Sequence, residues 1–404
     1  MATINAITGG VTAPKGFLAA GVKAGIKKSG KQDVAIIYSE VPAAAAGVFT
    51  TNTMAAAPVV ISRKVAASGV ASAVAVNAGC ANACTGEQGT LDAQQMAKEA
   101  AAALSVPTEQ VFVASTGIIG QTLPMDKLTA GIKDAASKLS KEGEADACMA
   151  ILTTDTTEKK TGYTFTLAGQ TVTIAGMAKG SGMIHPNMAT MLGFITTDAA
   201  IDSTLLQQAL KAATEVSFNM VSVDGDTSTN DSVFVMANGM AGNAKITDAA
   251  SEDFAVFQEV LTTVCTDLAK KIAKDGEGAS KFLEVNVEGA ASFASAKKIA
   301  MAIAKSPLVK TAFFGEDPNW GRIICAIGYS GENIQPADTN IWIGDVQVVA
   351  GGMGADFKEA ALKAIMSKDD IVITAKVGNG EEKATVWTCD FSYEYVKING
   401  EYHT

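Results

Sequence analysis

Residues 176–198, GMAKGSGMIHPNMATMLGFITTD, hold four glycines, a lysine and a His-Pro-Asn turn that run into an apolar, strand-like stretch. Glycine reaches backbone angles closed to other residues, so such a segment can bring main-chain groups close to a ligand. Its spacing matches neither the G-x-x-x-x-G-K-S/T phosphate loop nor the dinucleotide pattern. On pattern alone, a structural loop and a binding loop both stay open. Residues 114–120, ASTGIIG, follow a strand-like run and could turn backbone N–H groups around Thr116 and Gly117 toward a developing oxyanion. They could equally be a strand-ending turn.

Glu277 lies in DGEGASK, just past a helix C-terminus, where the helix dipole disfavours a carboxylate. It is either a solvated turn residue or a glycine-flanked acid suited to a ligand's ammonium group. Residues 224–232, DGDTSTNDS, imitate a calcium loop, but Thr229 stands where glycine is needed and Val235 where the bidentate Glu is needed. An Asx-rich turn is the reading that remains.

The chain has two histidines, His185 and His403, which leaves little room for histidine-based metal sites or a Ser-His-Asp triad. His185 precedes Pro186 in a turn and His403 is the penultimate residue, so both read as ordinary surface histidines. Nucleophiles that need no histidine remain, and an N-terminal threonine served by its own amine is one. Cys80 and Cys84 lack the CxxC spacing of redox and zinc motifs, and the six cysteines read as reduced thiols.

These residues need elements to position them. Short β-branched runs at 34–38, 57–62, 73–76, 110–114, 164–174, 193–197, 232–236, 282–287, 323–327, 346–350, 371–377 and 384–398 predict strands. Helical periods fall at 91–104, 125–139, 202–218, 252–275, 292–305 and 356–366. Strands and helices do not alternate one for one, which favours an α/β protein of layered α+β sandwich type over a doubly wound parallel sheet. The 404 residues suggest two domains or three, without an obvious hinge. A net charge of −10 argues against nucleic-acid binding, and no run reaches the roughly 20 apolar residues that span a bilayer. The N-terminus carries no secretion-type apolar stretch, so a cytoplasmic location is expected.

The segment KGSGMIHPNMATMLGF resembles the self-processing site of the ornithine acetyltransferases, the glutamate N-acetyltransferases of arginine biosynthesis. The likeness extends along nearly the whole chain: TAPKGF at 12–17, NACTG at 82–86, ASTGIIG at 114–120, LTTDT at 152–156, VDGDTSTND at 223–231, GEDPNWGR at 315–322 and NGEYHT at 399–404. In this order the motifs are highly specific. The resemblance implies self-cleavage between Ala189 and Thr190, giving an α chain of residues 1–189 and a β chain of residues 190–404 that assemble as an α2β2 heterotetramer. It implies Thr190 as nucleophile, Thr116 and Gly117 as the oxyanion hole, and substrate contacts at Thr153, Lys179, Thr190, Glu277, Asn399 and Thr404. The implied fold is an α/β sandwich with N-terminal-nucleophile chemistry, shared in type with related aminopeptidases.

Those residues make physical sense in these roles. The Thr190 hydroxyl can attack the Ala189 carbonyl, giving an ester that water resolves. Cleavage then leaves Thr190 with an α-amine of pKa about 7.7–8.0, able to take and return a proton near neutral pH. The implied reaction passes the acetyl group of N2-acetyl-L-ornithine to Thr190 and on to L-glutamate, with acetyl-CoA as a further co-substrate in bifunctional members. No metal or cofactor is expected. Lys179 suits an α-carboxylate and Glu277 suits ornithine's side-chain ammonium, so glutamate is expected to dock differently or to rely on Asn399 and Thr404. Two rivals stand beside this reading: a self-cleaving aminopeptidase or amidase with water as acceptor, and an uncleaved binding or assembly protein.

Overall fold

The computed structural model describes residues 4–185 and 191–401. Among the described residues, nine strands form one sheet and seven form a second. The first runs in spatial order Asn5–Ile7, Lys159–Leu167, Gln170–Lys179, Leu192–Thr197, Ser232–Ala237, Val34–Phe49, Val70–Cys80 and Val111–Ile118, with Phe17–Val22 also paired to the long strand Val34–Phe49. The second runs Met353–Gly354, Val346–Ala350, Asn340–Ile343, Asp370–Lys376, Phe282–Ala290, Glu382–Cys389 and Val221–Ser222. Both sheets mix parallel and antiparallel pairs, as the layered α+β reading requires.

Period-two burial sorts the first sheet onto two helical layers. Val34, Ile36, Val111 and Val113 pack with the helices Gly86–Leu104 and Met125–Ser137. Ala35, Ile37, Phe112 and Ala114 face the other way, toward Ala147, Cys148 and Ile151 of the helix Glu144–Ile151. The helix Glu252–Lys274 contacts both sheets, burying Phe257, Val260, Leu261, Val264, Leu268 and Ile272. Ser251 caps its start, and Lys271 and Lys274 sit in its last turn, where the dipole favours cations.

Three expected strands resolve otherwise. Residues 57–62 open the helix Ala57–Ser68: Pro58 fits a first helical turn, Val59, Ser62 and Val65 bury at helical spacing, and Gly69 closes it at φ 72°. Residues 323–327 lie within the helix Trp320–Gly328, with Ile323, Ala326 and Ile327 on its buried face. The run at 384–398 is a strand only to Cys389, and the helix Tyr393–Glu401 follows, its first turn receiving the Ser392 hydroxyl as acceptor for the Glu394 N–H at 3.1 Å. In the first two cases β-branched residues carried the strand signal and tertiary packing overrode it. The run at 164–174 is two strands joined through Ala168 and Gly169, both at positive φ.

Strands from both sides of residue 190 interleave in the first sheet. Leu192–Thr197 pairs with Gln170–Lys179, and Ser232–Ala237 pairs with Val34–Phe49. A break between 189 and 190 therefore leaves both pieces bonded into one sheet.

Candidate active site

A cavity of about 160 Å³ is lined by Thr116, Gly117, Thr153, Lys179, Glu277 and Asn399, together with Asp224, Asn230 and Tyr395. Every expected site residue within the described part of the chain is thus in one place. Ala189, Thr190 and Thr404 lie outside the described residues. Met183 and Met191, on either side of residues 186–190, both line the cavity.

Thr116 and Gly117 come from the end of strand Val111–Ile118, where its parallel pairing with Val70–Cys80 shifts register at Gly79 and Cys80. Such a bulge disrupts the ladder and re-aims the chain. Gly117 has φ 129°, and a Cβ there would collide with the Gly79 carbonyl carbon, so no side chain fits. Lys179 ends the strand Gln170–Lys179, opposite Leu192, rather than lying in a loop. It is 8% exposed, and its Nζ donates to Thr116 Oγ1 at 3.3 Å. That bond occupies a lone pair on the hydroxyl and leaves its proton free to point elsewhere.

The same lining also carries acidic groups. Glu277 follows the C-terminus of helix Glu252–Lys274, is 7% exposed, and accepts from Asn399 Nδ2 at 2.8 Å. It is therefore no solvated turn residue. The Glu277 N–H donates to the Ser181 carbonyl at 3.0 Å. A Cβ on Gly182 would run into the Glu277 carboxylate, so that glycine makes room for the acid. Asn399 and Tyr395, one turn apart on Tyr393–Glu401, bring this helix over the cavity.

The Asx-rich turn does more than turn. Asp224 accepts from the Met183 and Ile184 N–H groups at 2.6 and 2.9 Å, and so holds the segment entering residues 186–190. Burial pushes its carboxyl up. Burial likewise raises the Tyr395 phenol, with Asp224 and Glu277 adding to the effect. Asn230 Nδ2 donates to the carbonyls of Ala81 and Ser115 at 2.6 and 2.8 Å, tying the turn to the end of strand Val70–Cys80 and to strand Val111–Ile118. His185 lies outside the lining, and burial, aided by Lys305 and Lys297, brings it down to about 4.

Sequence reasoning missed Asp224, Tyr395 and Asp155. Asp155 lay in view inside the LTTDT motif, and Tyr395 stands four residues before Asn399, the spacing that puts both on one helix face.

The model of the ArgJ family matches residues 18–404. The chain belongs to the ArgJ family. A relative from Symbiobacterium thermophilum, the arginine biosynthesis bifunctional protein ArgJ, is 54% identical over 400 residues, covering 98% of this chain and 99% of its own length. The protein of the same name from Caldanaerobacter subterraneus is 50% identical over 402 residues, again covering 98% and 99%. A crystal structure of arginine biosynthesis bifunctional protein ArgJ from Bacillus halodurans is 47% identical, with a TM-score of 0.51, over 53% of this chain and 100% of that one. The resemblance carried by the seven motifs is thus a true family relationship. These relatives bear the name of a biosynthetic enzyme, which places the aminopeptidase reading second. Among the described residues of this ArgJ-family chain, no helix is long and apolar enough to cross a membrane.

Proposed function

We propose that this chain is an acetyltransferase of arginine biosynthesis that moves the acetyl group of N2-acetyl-L-ornithine to L-glutamate through an acetyl ester on Thr190. The observation that carries the reading is the convergence of Thr116, Gly117, Thr153, Lys179, Glu277 and Asn399 on one cavity, whose lining also holds Met191, the residue after Thr190. The cation and the acid in that lining suit a donor with an α-carboxylate at one end and a side-chain ammonium at the other. Lys179 takes the carboxylate as a point charge. Glu277, steadied by Asn399, takes the ammonium.

The precursor cleaves itself between Ala189 and Thr190. A solved ArgJ chain matched along its whole length by 53% of this one supports that division, since 215 of 404 residues, the span 190–404, is also 53%. The new α-amine of Thr190 takes the hydroxyl proton as Oγ attacks the acetamide carbon. The oxyanion so formed meets the Thr116 hydroxyl and the Gly117 N–H. The tetrahedral centre collapses, the amine passes its proton to the departing ornithine nitrogen, and the acetyl ester remains. Glutamate's amine then attacks the ester and the same proton transfers run in reverse. One amide replaces another, so the exchange is close to thermoneutral and calls for no metal or cofactor. Acetyl-CoA loads Thr190 in a second activity, for which the bifunctional relatives give support. The processed α and β chains stay together through their shared sheet and pair into an α2β2 assembly in the cytoplasm.

The test is acetylglutamate formation from N-acetylornithine and from acetyl-CoA, each alone, with one purified sample. Transfer from N-acetylornithine with parallel reciprocal plots at several glutamate concentrations is expected. Release of free acetate at one rate with or without glutamate would instead establish the hydrolase.

A further inference from the structure

Lys159 is fully buried, yet it belongs to none of the substrate contacts. Its Nζ donates to Asp155 Oδ1 at 2.7 Å and to Asp275 Oδ2 at 2.5 Å. The side chains of Lys159 and Asp155 are inaccessible and that of Asp275 is 8% exposed. Each partner grips chain next to the cavity lining. Asp155 Oδ1 also accepts from the Gly180 N–H at 2.7 Å, directly after Lys179, while Oδ2 accepts from the Thr153 N–H at 3.0 Å. Asp275 accepts from the Thr156 and Thr157 N–H groups at 3.0 and 3.3 Å, and its carbonyl accepts from Ser181 Oγ at 2.7 Å. The Ser181 carbonyl in turn takes the Glu277 N–H.

We infer that Asp155 is a positioning residue for substrate recognition: held by Lys159 and Asp275, it sets Thr153 and Lys179 in register with each other and, through Ser181, with Glu277. The inference rests on the acetyltransferase reading and extends it to residues that do not touch substrate. A carboxylate has the acceptors that this role demands, because its two oxygens serve two backbone N–H groups and one ammonium at once. An asparagine would turn a donor toward one of those N–H groups and leave Lys159 half-paired in the interior, where an uncompensated charge is costly. Burial alone would raise the Asp155 carboxyl, but the charges of Lys179 and Lys159 and the Gly180 N–H bring it down to about 2, so it is ionised throughout the working range.

The test compares two acetyl donors on Asp155→Asn. N-acetylornithine needs Lys179 and Glu277 for its charges, whereas p-nitrophenyl acetate, a neutral activated ester, needs only the nucleophile and the oxyanion hole. For N-acetylornithine, kcat/KM should fall about 100-fold, the scale of a roughly 1 Å misplacement, with most of the loss in KM. Acetylation by the ester should fall less than about fivefold, since the wall that serves it remains. Equal losses on both donors would mean a merely structural part for Asp155, and no loss on either would mean none; both results overturn the inference. If Asp155→Asn does not accumulate as folded protein, Asp275→Asn at the edge of the network must show the same split, at about tenfold against twofold; equal changes there overturn the inference as well. Wild-type protein run alongside separates the two layers. Absence of wild-type transfer from N-acetylornithine to glutamate refutes the acetyltransferase reading itself, whereas the positioning role fails only when wild type transfers and the variant's losses match.

Discussion

Two groups of residues that line the cavity are built differently. Thr116, Gly117 and Lys179 all sit on strands of the nine-stranded sheet, with Thr116 and Lys179 almost wholly buried and Gly117 pressed against Gly79. Glu277 and Asn399 come from a turn and from Tyr393–Glu401, a helix with no buried residue, whose Tyr393 is 82% exposed. The difference teaches a division of labour. Groups that must meet a transition state stand on the rigid scaffold, where small displacements are resisted. The acid that would recognise a side chain comes from a turn and is steadied by an exposed helix. The proposed donor carries a side-chain cation and the acceptor a side-chain anion, so this acid sorts between them.

If that division is right, substitutions in the two groups differ in kind. Thr116→Ala should lower kcat on the order of 100- to 1,000-fold with little change in donor KM, because it removes the proposed oxyanion donor from the cavity lining. A KM effect without a kcat effect would move Thr116 to the recognition side. Glu277→Gln should raise the N-acetylornithine KM about tenfold, the scale of a lost charge-assisted hydrogen bond, while leaving self-cleavage at its wild-type extent. Unchanged donor affinity in steady-state kinetics would remove Glu277 from that role. Asn399→Ala forfeits one 2.8 Å bond to Glu277 and should cost about threefold in donor KM, with glutamate KM shifted separately. A kcat loss as large as that of Thr116→Ala would erase the distinction between the two groups.

The smallest effect is on stability and concerns pH. His185 has its pKa lowered to about 4 by burial and by Lys305 and Lys297, against about 6.5 in an unfolded chain. The fold therefore favours the neutral ring: this contribution is full above about pH 6.5 and is lost as pH falls through about 4. Asp155, depressed to about 2, contributes above about pH 4 and loses that contribution as pH falls further. His185→Gln should flatten the first limb and spare the second, read as melting temperature at half-unit pH steps. A first limb as steep as wild type would assign it to other groups.

Much of this was legible in the residues. The helix Glu252–Lys274 announced itself through Phe257, Val260, Val264, Leu268 and Ile272 and its terminal lysines, because a wide apolar stripe over many turns has no other solution. The site was legible because ordered motifs carried it, whereas composition and spacing alone left Glu277 and the segment 114–120 undecided. What stayed hidden was tertiary. Val59 and Ile323 look like strand residues until tertiary packing buries them at helical spacing, Val59 against a sheet and Ile323 against neighbouring helices. Asp155 and Lys159 are ordinary charges in sequence, and only the approach of Asp275, 116 residues after Lys159, makes them a buried network.

N-terminal sequencing with intact mass on fully active protein bears most directly on the mechanism. Processing at Ala189 predicts a chain that starts at Thr190 and masses near 19 and 22 kDa, the shares of 189 and 215 residues in a 41.4 kDa, 404-residue chain. Full activity from protein that yields only the Met1 sequence and the 41.4 kDa mass would contradict it.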